Sequence, residues 1–191
     1  MWQLIVPVAF AAVLGSAAMA AEDAPECPKC PKCPAPPAPV PEAPANLAPT
    51  NADLSLEGAD LGKPVSGPAV KAEDFKGKAV VFEYWGDRCP PCLASIPHLC
   101  TTQKEHGRDK LIVVANQVWT DDAAVAKAAF EKKAPKEYQV SVVNHGGVKG
   151  AQVDGVPHAM VFNPDGTLRW QGHPMDAKFE TAVKEAVALV K

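Results

Sequence analysis

Six cysteines carry most of the chemistry legible in this 191-residue chain. Cys89 and Cys92 form a Cys-Pro-Pro-Cys motif, Cys27, Cys30 and Cys33 recur at three-residue intervals, and Cys100 stands alone. A Cys-x-x-Cys pair set where a strand runs into a helix has a clear physical purpose. The first thiol sits beside the unpaired N–H groups of the helix N-terminus, which favour its thiolate. In such settings a thiol pKa falls from about 8.5 into a range of roughly 3.5 to 7.5. The second thiol can attack a mixed disulfide made by the first and release the bound sulfur. Pro90 and Pro91 suit the first helical positions, where a missing N–H matters least.

The other cysteines read differently. Cys27, Cys30 and Cys33 are candidate metal ligands, but three thiols without a nearby histidine are one short of an ordinary zinc site. No pair is followed by His, which excludes c-type haem attachment. Soft thiolates at this spacing suit Cu(I). Two of them could instead exchange with the Cys89–Cys92 pair at high local concentration. Tethering to another chain and a plain spacer without chemistry are the remaining alternatives. Cys100 reads as a small buried apolar residue. The five histidines show no pairing at metal spacing, and His158, beside Pro157, reads as making a local hydrogen bond.

Composition sets the frame for these motifs. The chain is 47% hydrophobic and 21% charged, ordinary for a globular protein. Its net charge of −3, with no basic block, excludes a nucleic-acid role. Residues 1–20 contain no Asp, Glu, Lys or Arg, and an apolar run from Leu4 to Leu14 leads to Ala18-Met19-Ala20. That pattern predicts a secretory signal peptide cut after Ala20, a periplasmic or otherwise exported product and no stable membrane association. The alternative is an uncleaved N-terminal anchor. Residues 21–51 hold half of the chain's 20 prolines and predict an extended, disordered tether. The folded domain is then 52–191, long enough for a real core.

Within the domain the period alternates between strand and helix. Lys78–Trp85 is an apolar strand containing one carboxylate, Glu83, between Gly77 and Gly86. A helix over Pro90–His106 follows, with Pro97 inside it. Leu111–Val118 is a second strand, Asp121–Lys133 a helix, and Val140–Val143 a short strand. His158–Phe162 and Thr167–Gln171 flank the turn sequence Asn163-Pro-Asp-Gly166. Asp176–Lys191 places Phe179, Val183, Ala186, Val187 and Val190 on one helical stripe. This order predicts an α/β domain, a mixed central sheet with helices on both faces.

Residues 72–171 resemble the thioredoxin-like fold, and in particular the TlpA-like redoxin group of exported thiol-disulfide oxidoreductases. The resemblance lies in Phe75-Lys-Gly-Lys-Ala-Val-Val-Phe-Glu-Tyr-Trp, in Cys-Pro-Pro-Cys-Leu-Ala-Ser-Ile-Pro, and in Val156-Pro157-His158 followed by Val-Phe-Asn-Pro-Asp-Gly. It implies a nucleophile at Cys89, a resolving thiol at Cys92, and a buried proton-shuttling carboxylate at Glu83. Alternation along the strand leaves a solvent-facing Glu83 equally open. The resemblance also implies a cis Pro157, with the Val156 backbone offering strand-like hydrogen bonds to substrate, and a helix kink at Pro97. Trp85 either walls the site or is a core tryptophan.

Two positions depart from the family pattern. Arg88 stands where the family usually has Trp, and its guanidinium either attracts negative charge on Cys89 or is a solvated surface group. Ser95 stands where many TlpA-like reductases carry a glutamate, which puts the specific assignment to cytochrome maturation in doubt.

The implied activity is disulfide exchange with protein substrates, reduction being the favoured direction. It requires no cofactor, and its partners are protein disulfides or dithiols together with an upstream thiol electron donor or acceptor. A rival of a different class is a thiolate-based copper-binding protein or metallochaperone on the same scaffold. A peroxiredoxin-like peroxidase is disfavoured, because a vicinal Cys-x-x-Cys suits disulfide exchange better than peroxide reduction.

Overall fold

The computed structural model describes residues 54–191. The expected signal peptide (1–20) and the expected tether (21–51), with Cys27, Cys30 and Cys33, lie outside the described residues. All seven residues of strand β2 (Ala79–Trp85) are buried, so the strand must be paired on both edges and covered on both faces. On one edge it runs parallel to β3 (Leu111–Gln117), and on the other antiparallel to β5 (His158–Phe162). Beyond β3 lies the parallel β4 (Ser141–Asn144), then β1 (Lys63–Ser66), antiparallel to β4. Beyond β5 lies the antiparallel β6 (Leu168–Gly172), completing the order β1-β4-β3-β2-β5-β6. This is the mixed sheet the sequence predicts, with β1 added. Lys-Pro-Val-Ser carries no alternation, and it becomes a strand because the edge of β4 offers it hydrogen bonds.

Among the described residues three α-helices accompany the sheet: α1 (Pro90–His106), α2 (Ala123–Glu131) and α3 (Ala177–Ala188). Helix α2 is shorter than the expected Asp121–Lys133. Its N-cap is Asp122, whose carboxylate accepts from the N–H groups of Ala124 and Val125 at 2.8 and 3.2 Å. Asp176 caps α3 in the same way, accepting from Lys178 N–H at 2.8 Å.

The sequence predicts helices on both faces, whereas all three α-helices pack on one and a 3-10 turn with loop residues covers the other; topology is the reason. The steps β2-α1-β3 and β3-α2-β4 both move across the sheet in one direction. Right-handed crossovers that step the same way place both helices on the same face. Buried residues of α1, α2 and α3 accordingly join Ala79, Val81 and Trp85 in one core cluster. The opposite face, with Val80, Phe82 and Tyr84, is covered by Phe75 of a short 3-10 turn (Ala72–Phe75), Leu56 and Val148.

Helix α1 is fixed to the sheet along its whole length. Cys92, Ser95, Ile96, Leu99, Cys100 and Gln103 form its buried stripe, while Pro97 lies on the exposed side. At its C-terminal end the Gln103 side chain donates to Leu111 C=O and accepts from Val113 N–H, both at 2.7 Å. These β3 groups precede Val114, where the pairing with β4 begins. A side-chain amide therefore completes a ladder that the short neighbouring strand cannot.

Candidate active site

Strand β2 ends at Trp85, a tight connection through Gly86–Arg88 follows, and α1 starts at Pro90. Cys89 occupies the N-cap in extended conformation, with Pro90 and Pro91 in the first turn. Its Sγ accepts from Cys92 N–H at 3.3 Å, so one orphan donor of the helix start is aimed at the sulfur. An amide in that position stabilises negative charge on the sulfur. Cys89 and Cys92 are joined by a disulfide with a Cα–Cα distance of 5.2 Å, and both are buried, Cys89 being 3% exposed.

The loop ahead of β5 closes over the pair. The Val156–Pro157 peptide is cis, and the Val156 carbonyl oxygen lies 3.7 Å from Cys89 Sγ. Val156 is half-buried and Pro157 buried. Farther back, the same loop is held to the sheet by Val148 N–H, which donates to Tyr84 Oη at 2.8 Å.

Glu83 is wholly buried. Its place in β2, between Val81 and Trp85, turns it toward the face covered by helices rather than toward water. Its cross-strand neighbours are Ala115 and Ala159, small residues that leave room for a carboxyl group beneath α1. Ser95 Oγ lies 3.1 Å from Glu83 Oε1, while Oε2 has no hydrogen-bond partner among the described residues. Burial pushes the carboxyl up to about 8, against a smaller opposing pull from the Ser95 hydrogen bond. A carboxyl titrating there exchanges protons near neutral pH.

Trp85 has no exposed surface and packs edge-on against Phe130, with ring centroids 5.5 Å apart. It is a core tryptophan beneath the cysteine pair and presents nothing to a substrate. Arg88 extends into water, its side chain 78% exposed, with Nε 3.4 Å from Asp87 Oδ2. This is the solvated reading of Arg88. Cys100 is buried, its thiol pushed up to about 12 by burial and, secondarily, by the charge of Glu83. His158 Nε2 makes a local contact with Gln171 Oε1 at 3.3 Å.

Two further features were not visible in the sequence. Asp87 accepts from Gln117 Nε2 at 3.0 Å, and Gln117 Oε1 in turn accepts from the N–H groups of Trp119 and Thr120, each at 3.1 Å. The half-exposed Trp119 lies against Gly86, where a Cβ would overlap its ring. Gly86 C=O accepts from Cys89 N–H at 3.2 Å, so this packing bears directly on the position of the cysteine. The one sequence signal was the glycine itself, sitting between a strand and the motif. Among the described residues, no group of three or more His, Cys, Asp or Glu is placed to hold a metal ion, and no helix is long and apolar enough to cross a membrane.

No family model matches the chain. It is 24% identical over 105 residues to a thiol-disulfide oxidoreductase, ResA, of Bacillus thuringiensis subsp. konkukian, covering 54% of this chain and 60% of that protein. It is 42% identical over 53 residues to the thioredoxin-like protein YneN of Bacillus subtilis, covering 28% and 31% of the two chains. The match thus spans 60% or less of these relatives' length. Among solved structures, a thiol-disulfide isomerase from Corynebacterium glutamicum superposes with a TM-score of 0.58 at 18% identity, covering 72% of this chain and 97% of that one. A secreted Mycobacterium tuberculosis disulfide oxidoreductase superposes with a TM-score of 0.51 at 20% identity, covering 70% and 96%. The fold is thioredoxin-like, and the likenesses in sequence and in structure fall within the thioredoxin-like redoxins.

Proposed function

We propose that this protein is an exported thiol-disulfide oxidoreductase that exchanges disulfides with protein substrates through Cys89 and Cys92, reduction of the substrate being the favoured direction. The observation that carries the reading is the Cys89–Cys92 disulfide at the start of α1, with the buried carboxyl of Glu83 reached through Ser95, whose hydroxyl lies within hydrogen-bond distance of both Glu83 Oε1 and the Cys92 carbonyl. The names of the relatives support the reaction class.

In the reducing direction the Cys89 thiolate attacks one sulfur of a substrate disulfide. A Cys89–substrate bond forms, the substrate S–S bond breaks, and the other substrate sulfur leaves as a thiolate. Cys92 gives its proton to Glu83, and its thiolate attacks Cys89 Sγ. The intramolecular disulfide forms and the second substrate sulfur departs. Two electrons have then passed to the substrate, and an upstream dithiol restores them. The Val156 backbone, beside Cys89 Sγ, supplies main-chain hydrogen bonds to an extended substrate segment, and Pro157 holds that backbone in place.

The test is the reduction potential of the Cys89–Cys92 couple, with Cys27, Cys30 and Cys33 changed to serine, alongside insulin reduction. A value near about −270 mV marks a reductase, and one near about −120 mV an oxidant. Cys89→Ser abolishes turnover, whereas Cys92→Ser accumulates trapped mixed disulfides. Retention of insulin reduction by Cys89→Ser, or failure to find a reversible two-electron couple, refutes the reading.

A further inference from the structure

Ser95 Oγ lies within reach of two acceptors, Glu83 Oε1 at 3.1 Å and the Cys92 carbonyl oxygen at 2.8 Å. A serine hydroxyl has one hydrogen to donate, so it serves one of them at a time. The carbonyl is an acceptor in every state of the protein. The carboxyl draws a donor most strongly when it is ionised, because hydrogen bonds to charged groups are the stronger ones. The hydroxyl is therefore a two-position rotor whose preference depends on the charge of Glu83.

The rest of the surroundings offer the carboxylate little. From α1 and its N-cap the titratable groups on this face are Cys89, Cys92 and Cys100. Strands β3 and β5 present Ala115 and Ala159 opposite Glu83. Helix α2 contributes Phe130 to the same cluster, and α3 contributes Phe179 and Val183. His98 and Glu180, at the partly exposed contact of α1 and α3, pair with each other at 3.2 Å. The donor given to Glu83 is Ser95.

We propose that Ser95 is a positioning residue for the resolving step: its hydroxyl turns from the Cys92 carbonyl to Glu83 Oε1 when Glu83 is ionised, and so holds the carboxylate with Oε2 open to the Cys92 thiol proton. This rests on the exchange reading above. The proton moves from Cys92 Sγ to Glu83 Oε2 and the electron pair stays on sulfur. The Cys92 thiolate then bonds to Cys89 Sγ, and the substrate sulfur leaves with the electrons of the broken bond. Ser95 touches neither sulfur nor substrate and acts through Glu83. The downward pull of its hydrogen bond on the Glu83 titration agrees with this role.

The experiment follows the reduced full chain, with Cys27, Cys30 and Cys33 changed to serine, reacting with the aromatic disulfide DTNB in stopped flow. The first release of thionitrobenzoate reports attack by Cys89, and the second reports resolution by Cys92. Ser95→Ala leaves the first phase unchanged and moves the pH profile of the second up by about one pH unit, a slowing of about tenfold at pH 7. The carbon-13 carboxyl signal of Glu83 in the oxidised protein moves its titration in the same direction. Ser95→Thr, which keeps the hydroxyl, restores both. In a Glu83→Gln background, Ser95→Ala has no further effect on the second phase. A Ser95→Ala profile that stays in place, or an equal slowing with and without Glu83, overturns the proposal and leaves the exchange reading intact. A Glu83→Gln protein that resolves as fast as the parent overturns both the proposal and the role of Glu83.

Discussion

Replacing Glu83 with Gln stabilises this domain, and does so increasingly as the pH rises. The carboxyl titrates near 4.5 in the unfolded chain and at about 8 in the folded one. Below pH 4.5 it is protonated in both states and contributes no pH dependence. Between pH 4.5 and 8 the folded state holds a proton that the unfolded state has released, so stability falls as the pH rises. Above pH 8 both states are ionised and the loss is complete. Displacement of the titration from 4.5 to about 8 corresponds to a full loss of about 5 kcal/mol, of which about 3 kcal/mol is already lost at pH 7.

Glutamine has the shape of the protonated acid and still meets Ser95 Oγ, but it cannot ionise. The assay is urea denaturation of the oxidised wild-type and Glu83→Gln proteins at half-unit steps from pH 4 to 9. With Cys89 and Cys92 in a disulfide, the active-site thiols do not titrate, and the other carboxylates cancel in the difference between the two proteins. The expected difference is near zero at pH 4 and rises through neutrality to favour Glu83→Gln by several kcal/mol. A difference that stays flat across this range refutes the argument that burial holds the carboxyl protonated. A lead for the wild-type protein that grows with pH would show an ionised, well-paired Glu83.

Two other perturbations test how the site is supported. Gly86→Ala forces its Cβ into the Trp119 ring and costs about 1–3 kcal/mol in denaturant unfolding. Adding Trp119→Ala recovers most of that loss, and equal costs with and without the indole would contradict the contact. Gln103→Leu orphans Leu111 C=O and Val113 N–H, both bonded to the Gln103 amide, at a cost of about 2–4 kcal/mol. Hydrogen exchange at the Val113 amide accelerates in that variant, and an unchanged rate would mean that the ladder is satisfied some other way.

The features legible in the sequence are those whose determinants are local. Cys89 beside the helix N-terminus, Pro90 and Pro91 in the first turn, and Asn163-Pro-Asp-Gly166 as a hairpin turn all depend on neighbours within a few positions. So do the boundaries of α1 and of strands β2 and β5. The Cys-x-x-Cys spacing at a helix start carries the chemistry of the cysteine pair, and the resemblance adds the buried carboxylate and the cis-prolyl loop. Alternation does not separate the alternatives for Glu83, because every residue of β2 is buried and a strand buried on both faces shows no alternation to read. Only the packing of Val81 and Trp85 against the helices fixed the face to which Glu83 points. The same double burial hides the face of Trp85 from the sequence, and its contact with Phe130 of α2 places it in the core.

The sequence by itself therefore determined a Cys-Pro-Pro-Cys pair at a strand-to-helix junction, followed by a prolyl loop and a hairpin. Tertiary structure decided which side chains meet that pair. Cys89 and Val156 are 67 positions apart, and Ser95 lies 12 positions from Glu83. Turns, caps and helical stripes form from interactions within about one turn of chain, so their signals survive in the string of residues. Contacts between distant residues depend on strand order, on register and on the face each crossover chooses. Those are properties of the whole sheet, and no single segment carries them.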